Sequence, residues 1–162
     1  MALDLDNRVP LEQVRSLIDD LDFAPIFDKL IRSDVPTPFS RPWDPMSAVQ
    51  AIHRYRNFLY LWRKYKYESE DTIDVKMPPP PDVDEIWHAH ILNTRRYAED
   101  CSRLFGTFHH HYPYFGIDGK DSAMDMDEIM ESFGPVAKIY QEEFGEPLMI
   151  PSSGVEGSGS AS

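Results

Sequence analysis

Four consecutive prolines at positions 78–81 divide the chain and constrain its helices more than any other feature. Proline lacks a backbone N–H and clashes with the preceding turn, so a helix tolerates it in the first turn but not in the interior. The run therefore favours an extended connector of polyproline type. Pro25 and the three prolines within residues 34–43 interrupt the earlier part of the chain. The sequence predicts helices of limited length joined by proline-rich connectors.

Before the proline run, apolar residues recur at the spacings of three and four that are typical of helices. We expect one helix over about 11–21 and a short one over 26–31. The longest should span about 45–67, because Asp44 can cap its first turn and Pro45 fits the first helical position.

After the proline run, the pattern predicts two more helices. Asp82, with Glu85 three residues later, forms a capping-box pattern that begins one of them, and Gly106 ends it. The last helix should span about 125–144, with a kink at Gly134-Pro135.

These patterns predict an all-α fold, a compact bundle of about four to five helices with proline-rich connectors. We find no strong strand pattern and no internal repeat. We assign residues 1–150 to a single helical domain. Residues 151–162 are rich in serine and glycine, so we expect a disordered tail.

The charge of the chain bears on its partners. It carries 28 acidic and 16 basic residues, a net charge of −12, which makes a nucleic acid an unlikely main partner because phosphates would be repelled. The first ten residues lack a signal-peptide pattern, and no apolar run approaches the ~20 residues that span a bilayer. We therefore expect a cytoplasmic protein without a membrane partner.

Five of the six histidines fall within residues 88–111. His90 lies on the apolar stripe of the helix that begins at Asp82, whereas His88 is about 200° away from it around the helix axis. In a regular helix these two side chains cannot bind one metal ion together. Asp84 and His88, spaced i and i+4, form an alternative pair of ligands.

A second group of histidines, His109, His110 and His111, follows Gly106. Combining His88 or His90 with His110 or His111 gives two to four imidazoles, which suit zinc, copper or iron. We expect metal ligands among His88, His90, His110 and His111. The competing interpretation is that His90 is a core residue with hydrogen-bond partners, and that the later histidines stabilise a helix C-terminus.

The strings VDEIWHAHILNTRRYAEDC and GTFHHHYPYFG resemble the glycine-rich domain-containing protein-like family. The resemblance implies an α-helical intracellular domain and no particular reaction. His109 stands where the family pattern has leucine, so it is the least expected of the three to be functional. The matching positions are Trp87, His88, His90, Leu92, Tyr97, Asp100, Cys101 and His110 through Gly116.

The expected helix over 45–67 carries several arginines and lysines among aromatic residues, a composition that can bind single-stranded nucleic acid. Because the rest of the chain is acidic, we expect these basic side chains to pair internally. One of them, such as Arg56, could instead orient an anionic group of a substrate.

Two functions follow from these observations. The first is a metal-dependent enzyme that acts on a small molecule, with Asp84, Tyr97 and Arg56 as candidate catalytic residues beside the histidine ligands. The second is a metal-free helical module for protein interaction, in which the same side chains pack or contact a partner. The lone Cys101 faces the apolar stripe and is expected to pack in the core, and it excludes an internal disulfide and a four-thiolate zinc site.

Overall fold

The computed structural model describes residues 7–32, 42–68, 77–111 and 126–150. Within these ranges the chain is helical and has no strand, which confirms the all-α class. The elements, in chain order, are α1 Leu11–Asp20, α2 Ala24–Ile31, α3 Pro45–Trp62 with a π-helical continuation over Arg63–Tyr67, α4 Pro81–Leu92, α5 Thr94–Phe105, α6 Met126–Ser132 and α7 Gly134–Phe144.

Helix α3 is the centre of the fold. It packs against α1, α2, α4 and α7, and its buried face includes Tyr55, Phe58 and Trp62. Asp44 caps it as expected, since its carboxylate accepts a hydrogen bond from the Ser47 N–H at 3.1 Å. Apart from Ala48, the buried apolar residues of the described helices belong to one core cluster.

The helix expected to begin at Asp82 and to continue to residue 105 is two helices. The chain breaks at Asn93, whose φ of −85° and ψ of 69° are not helical, and α5 restarts at Thr94. The first of these helices also begins at Pro81 rather than after a cap by Asp82, and no side chain caps it. Asp82 instead forms a largely buried ion pair with Arg54, which joins α4 to α3.

Similarly, the last predicted helix is interrupted at Phe133, next to the expected kink at Gly134-Pro135. These two interruptions raise the number of helices above the four to five expected. Gly106 ends α5 in a left-handed conformation with φ of 71°, as the sequence indicated. The expected tail over 151–162 lies outside the described residues, as does most of the connector over 34–43.

The basic side chains of α3 and its continuation are paired within the fold. Lys64 forms an ion pair with Glu143 of α7, and Arg63 pairs with Glu68 at 2.8 Å, which matches the internal pairing expected for these basic side chains. Arg63 also donates to the carbonyl of Val9 at 2.8 Å, which ties the start of the described chain to α3. None of the helices in the described ranges is long and apolar enough to cross a membrane.

Candidate metal-binding cluster

Helix α4 carries two potential ligands one turn apart. Asp84 and His88 share a helix face, and the Asp84 Oδ2 atom lies 3.5 Å from the His88 Nε2 atom. Their side chains are 33% and 51% exposed, so this face of α4 is open to solvent. The i, i+4 pairing predicted for these two residues is therefore present.

The third member comes from the segment that follows α5. We call residues 107–111 the return segment, because the turn at Gly106 brings it back against α4. The His111 Nε2 atom lies 2.7 Å from Asp84 Oδ1 and 2.9 Å from His88 Nε2. One ligand atom from each of the three residues lies within 4.8 Å of the others, and we refer to the three as the Asp84–His88–His111 cluster.

Hydrogen bonds between the three side chains cannot satisfy all of their ligand atoms at once. An imidazole nitrogen carries at most one proton, so the Nε2 atom of His111 can direct a well-aligned N–H at Asp84 or at His88, but not at both. A cation between the three atoms would attract all of them. Ligand atoms about 2.1 Å from one ion are about 3.0 Å apart at octahedral angles and about 3.4 Å apart at tetrahedral angles. The separations within the cluster, 2.7 Å, 2.9 Å and 3.5 Å, lie on either side of these values.

The donor atoms are of the kinds that transition metals prefer. Two imidazoles and one carboxylate suit zinc, copper or iron, and they match the two-histidine, one-carboxylate arrangement of non-haem iron sites. Three protein ligands leave coordination positions open, which is the arrangement that metal catalysis requires.

His90 lies on the opposite side of α4 from His88. It is buried, its Nδ1 atom contacts the Tyr55 hydroxyl at 2.7 Å, and its Nε2 atom contacts the Asp100 carboxylate at 2.8 Å. Both ring nitrogens are thus engaged, and the structure does not bring His90 into the cluster. This placement matches the core interpretation of His90 and not the interpretation as a metal ligand.

The two remaining histidines of the return segment also lie apart from the cluster. His110 is exposed, and its ring contacts Phe108 at 4.8 Å between centroids. His109 is buried, and its Nδ1 atom shares a 2.7 Å hydrogen bond with the Tyr67 hydroxyl. Of the four expected histidine ligands, the structure therefore brings only His88 and His111 together.

The ring of His109 lies between aromatic side chains. It stacks on Trp87 at 5.0 Å and 18°, and it contacts Trp62 at 4.7 Å. Burial, together with nearby positive charge, lowers the pKa of His109 to about 3, so the ring is neutral. The family pattern makes His109 the least expected of the three histidines to be functional, yet it is the most buried residue of the return segment.

Tyr97, expected as a catalytic residue, contacts the return segment and Trp87 rather than the ligand atoms of the cluster. Its hydroxyl accepts a hydrogen bond from Trp87 Nε1 at 2.9 Å and donates to the backbone carbonyl of His109. The residue is buried, and burial raises the pKa of its hydroxyl. Tyr97 thus contacts the backbone of the return segment, not the ligand atoms.

Arg56, the third catalytic candidate, lies at the C-terminal end of α1. Its guanidinium donates to the carbonyls of Ile18 and, at 2.9 Å, of Leu21, and it covers the ring of Phe23 at 4.5 Å. Burial lowers the pKa of Arg56, and the carboxylates of Asp19 and Asp22 oppose that shift. These contacts correspond to a helix cap, and the structure does not place Arg56 in the cluster.

The fold and the cluster define a class of protein, an all-α domain with a solvent-accessible carboxylate and two imidazoles that converge from separate segments. The UCP032817-like family model matches residues 16–128, which include the whole cluster. The chain therefore belongs to the UCP032817-like family, and the resemblance to glycine-rich domain-containing proteins is confirmed.

Two relatives come from Arabidopsis thaliana. The chain is 28% identical over 149 residues to glycine-rich domain-containing protein 1, covering 88% of this chain and 17% of the relative. It is 30% identical over 97 residues to glycine-rich domain-containing protein 2, covering 59% of this chain and 11% of the relative. The chain thus spans less than a fifth of the length of these curated relatives. No solved structure matches it.

Proposed function

We propose that the Asp84–His88–His111 cluster binds one divalent transition-metal ion, zinc, copper or iron, and that the domain is a metal-dependent enzyme for a small-molecule substrate. The observation that carries the proposal is the approach of His111 Nε2 to both Asp84 and His88, at 2.7 Å and 2.9 Å. A single N–H cannot satisfy both neighbours, whereas a shared cation can.

The exposure of the cluster supports catalysis rather than a purely structural ion. Structural zinc sites are closed by four protein ligands, whereas catalytic sites keep a position for water or substrate. Here His88 and Asp84 are partly exposed, and the aromatic ring of Trp87 lies 4.3 Å from that of His111. A bound ion would act as a Lewis acid or a redox centre at the open positions. We place this activity in the cytoplasm, where the free thiol of Cys101 stays reduced.

Elemental analysis of tag-free protein tests the proposal. Wild-type protein loaded with Zn²⁺, Fe²⁺ or Cu²⁺ and then desalted should retain about one ion per chain for at least one of these metals, and His88→Ala and His111→Ala should not. His53→Ala is the matched control, because His53 is also a half-exposed histidine beside a carboxylate, 2.8 Å from Glu146.

If the domain is instead a metal-free module for protein interaction, the opposite result is expected. In that case the cluster only fastens the return segment to α4 by hydrogen bonds, and wild-type protein retains none of these ions. The elemental measurement of bound metal therefore distinguishes the two proposed functions before any substrate is known.

A further inference from the structure

His111 is held by contacts of its own ring, including that with Trp87 at 4.3 Å, and by contacts of the backbone that precedes it. Asp84 and His88 project from a regular helix, so the backbone of α4 fixes their spacing. His111 belongs to the return segment, which is not helical and has no hydrogen-bond ladder to hold it. A metal site requires its ligands to be held within about 0.5 Å of the productive geometry. Besides the contact of the His111 ring with Trp87, two contacts hold the backbone and the neighbouring side chain of the return segment.

The first such contact is made by the Tyr97 hydroxyl. It donates to the carbonyl of His109, two residues before His111, and accepts from the indole N–H of Trp87 at 2.9 Å. Trp87 precedes the ligand His88 on α4. One buried hydroxyl therefore links the helix that bears two ligands to the segment that bears the third.

The second contact holds the His109 ring. The Tyr67 hydroxyl hydrogen-bonds to its Nδ1 atom at 2.7 Å, and the ring stacks on Trp87. The Nε2 atom of His109 is buried and has no hydrogen-bond partner, so it does not attach the ring to any polar group. The ring is thus held by Tyr67 on one side and by aromatic faces on the others.

We propose that Tyr67 and Tyr97, acting through His109, are positioning residues that set the distance of His111 from Asp84 and His88. This inference rests on the proposed metal binding and adds the part of the fold that assembles the third ligand. Both tyrosines touch His109 and neither touches the ligand atoms in the contacts described above. Their hydroxyls should therefore affect metal affinity without contributing a ligand.

The test compares Tyr97→Phe and Tyr67→Phe with wild-type protein, using Co²⁺ alone as a spectroscopic probe. Each substitution removes one hydroxyl and keeps the ring. The control is Tyr140→Phe, because Tyr140 is also buried and its hydroxyl also has two partners, Asn57 at 2.8 Å and Glu146 at 3.0 Å, but it lies on α7. Unfolding by urea reports the stability of every variant.

We expect the Co²⁺ dissociation constant to rise about 10- to 100-fold in Tyr97→Phe, the usual effect of losing a group that orients a metal ligand. Tyr67→Phe should also raise the Co²⁺ dissociation constant. The visible Co²⁺ spectrum should change in both variants, because the ligand geometry changes. Tyr140→Phe should lose stability but keep the wild-type affinity and spectrum. If Tyr97→Phe does not fold, Tyr67→Phe alone decides the question.

Two results would overturn the inference, and they differ from each other. If wild-type protein binds Co²⁺, His111→Ala does not, and the tyrosine variants retain the wild-type affinity and spectrum, then the metal site stands and the positioning role is wrong. If wild-type protein binds no Co²⁺, Zn²⁺, Fe²⁺ or Cu²⁺, the proposed function itself fails.

Discussion

The Nε2 atoms of His88 and His111 face each other at 2.9 Å although 23 positions separate the two residues in the sequence. Two imidazoles at this distance, with the carboxylate of Asp84 beside them, form a site whose electrostatics favour a cation. The negative charge of Asp84 is the only formal charge that the three side chains carry when both rings are neutral. A divalent ion would therefore be bound without any repulsion from within the cluster.

Metal binding should stabilise the folded protein. The cluster joins α4 to the return segment, and an unfolded chain would not hold these three residues together, so the ion binds the folded state preferentially. At a free Zn²⁺ concentration 100-fold above the dissociation constant, the free energy of unfolding should rise by about 2.7 kcal/mol. Thermal or urea unfolding with and without Zn²⁺ measures this.

His88→Ala and His111→Ala should abolish the Zn²⁺ effect, and His110→Ala should retain it. His110 is the appropriate control because it is exposed and adjacent to His111 in the chain. An equal Zn²⁺ effect in all three variants would place the ion elsewhere on the molecule.

His90 should matter for stability and not for metal binding. Its ring joins α3 to α5 through Tyr55 and Asp100, at 2.7 Å and 2.8 Å. His90→Ala removes both hydrogen bonds, leaves the Asp100 carboxylate without this partner and creates a cavity, so it should lower the free energy of unfolding by about 2–4 kcal/mol. Urea unfolding measures the loss, and elemental analysis of the folded variant should still find the metal. Loss of metal with unchanged stability would contradict this assignment.

The apolar periodicity predicted much of the core correctly. The spacing of three and four along residues 83–104 predicts one buried stripe, and Val83, Trp87, Tyr97 and Leu104 on it are buried. The same spacing predicts that Thr94 is buried, but Thr94 is exposed, because the chain breaks at Asn93 and Thr94 begins a new helix. Asparagine is only a weak helix breaker, so the non-helical backbone of Asn93 could not be inferred from the local sequence.

The site was predictable only where helix geometry determines it. The pairing of Asp84 with His88, and the divergence of His88 from His90, follow from 3.6 residues per turn. Helix geometry does not show which of His109, His110 and His111 joins the cluster. Adjacent side chains outside a helix point in different directions, and tertiary contacts determine those directions. Two contacts orient the return segment so that His111 joins the cluster. The His109 ring is buried against Trp87, and Tyr97 donates a hydrogen bond to the His109 carbonyl; both contacts depend on residues from other helices.

Arg56 should act as a structural residue. It binds two carbonyls at the C-terminal end of α1 and stacks on Phe23, interactions that a planar guanidinium makes and an ammonium does not reproduce. Arg56→Lys should therefore lower the free energy of unfolding by about 1–2 kcal/mol and leave the Co²⁺ affinity unchanged. A variant that keeps its stability but loses turnover, once a substrate is known, would restore the catalytic interpretation.

Cys101 should be unreactive in the folded protein and should make the fold sensitive to alkali. Burial raises the pKa of its thiol from 9.0 to about 11, an effect that the contacts with His109 and Tyr97 only partly oppose. At pH 9 the thiolate fraction should thus fall from about one half to about 1%, and alkylation by iodoacetamide, which requires the thiolate, should be slowed at least in proportion. The measurement is the alkylation rate of native protein against that of urea-unfolded protein.

The raised pKa of Cys101 also determines whether the stability of the folded protein rises or falls with pH. Between pH 9 and 11 the folded state binds the thiol proton more tightly than the unfolded state, so stability is fully present below pH 9 and decreases as the pH rises through 11. The decrease should be on the order of 2–3 kcal/mol. Cys101→Ala lacks this titration, so its free energy of unfolding should fall less steeply between pH 9 and 11 than that of the wild type. Parallel slopes for the two proteins would show that the thiol does not control stability in this range.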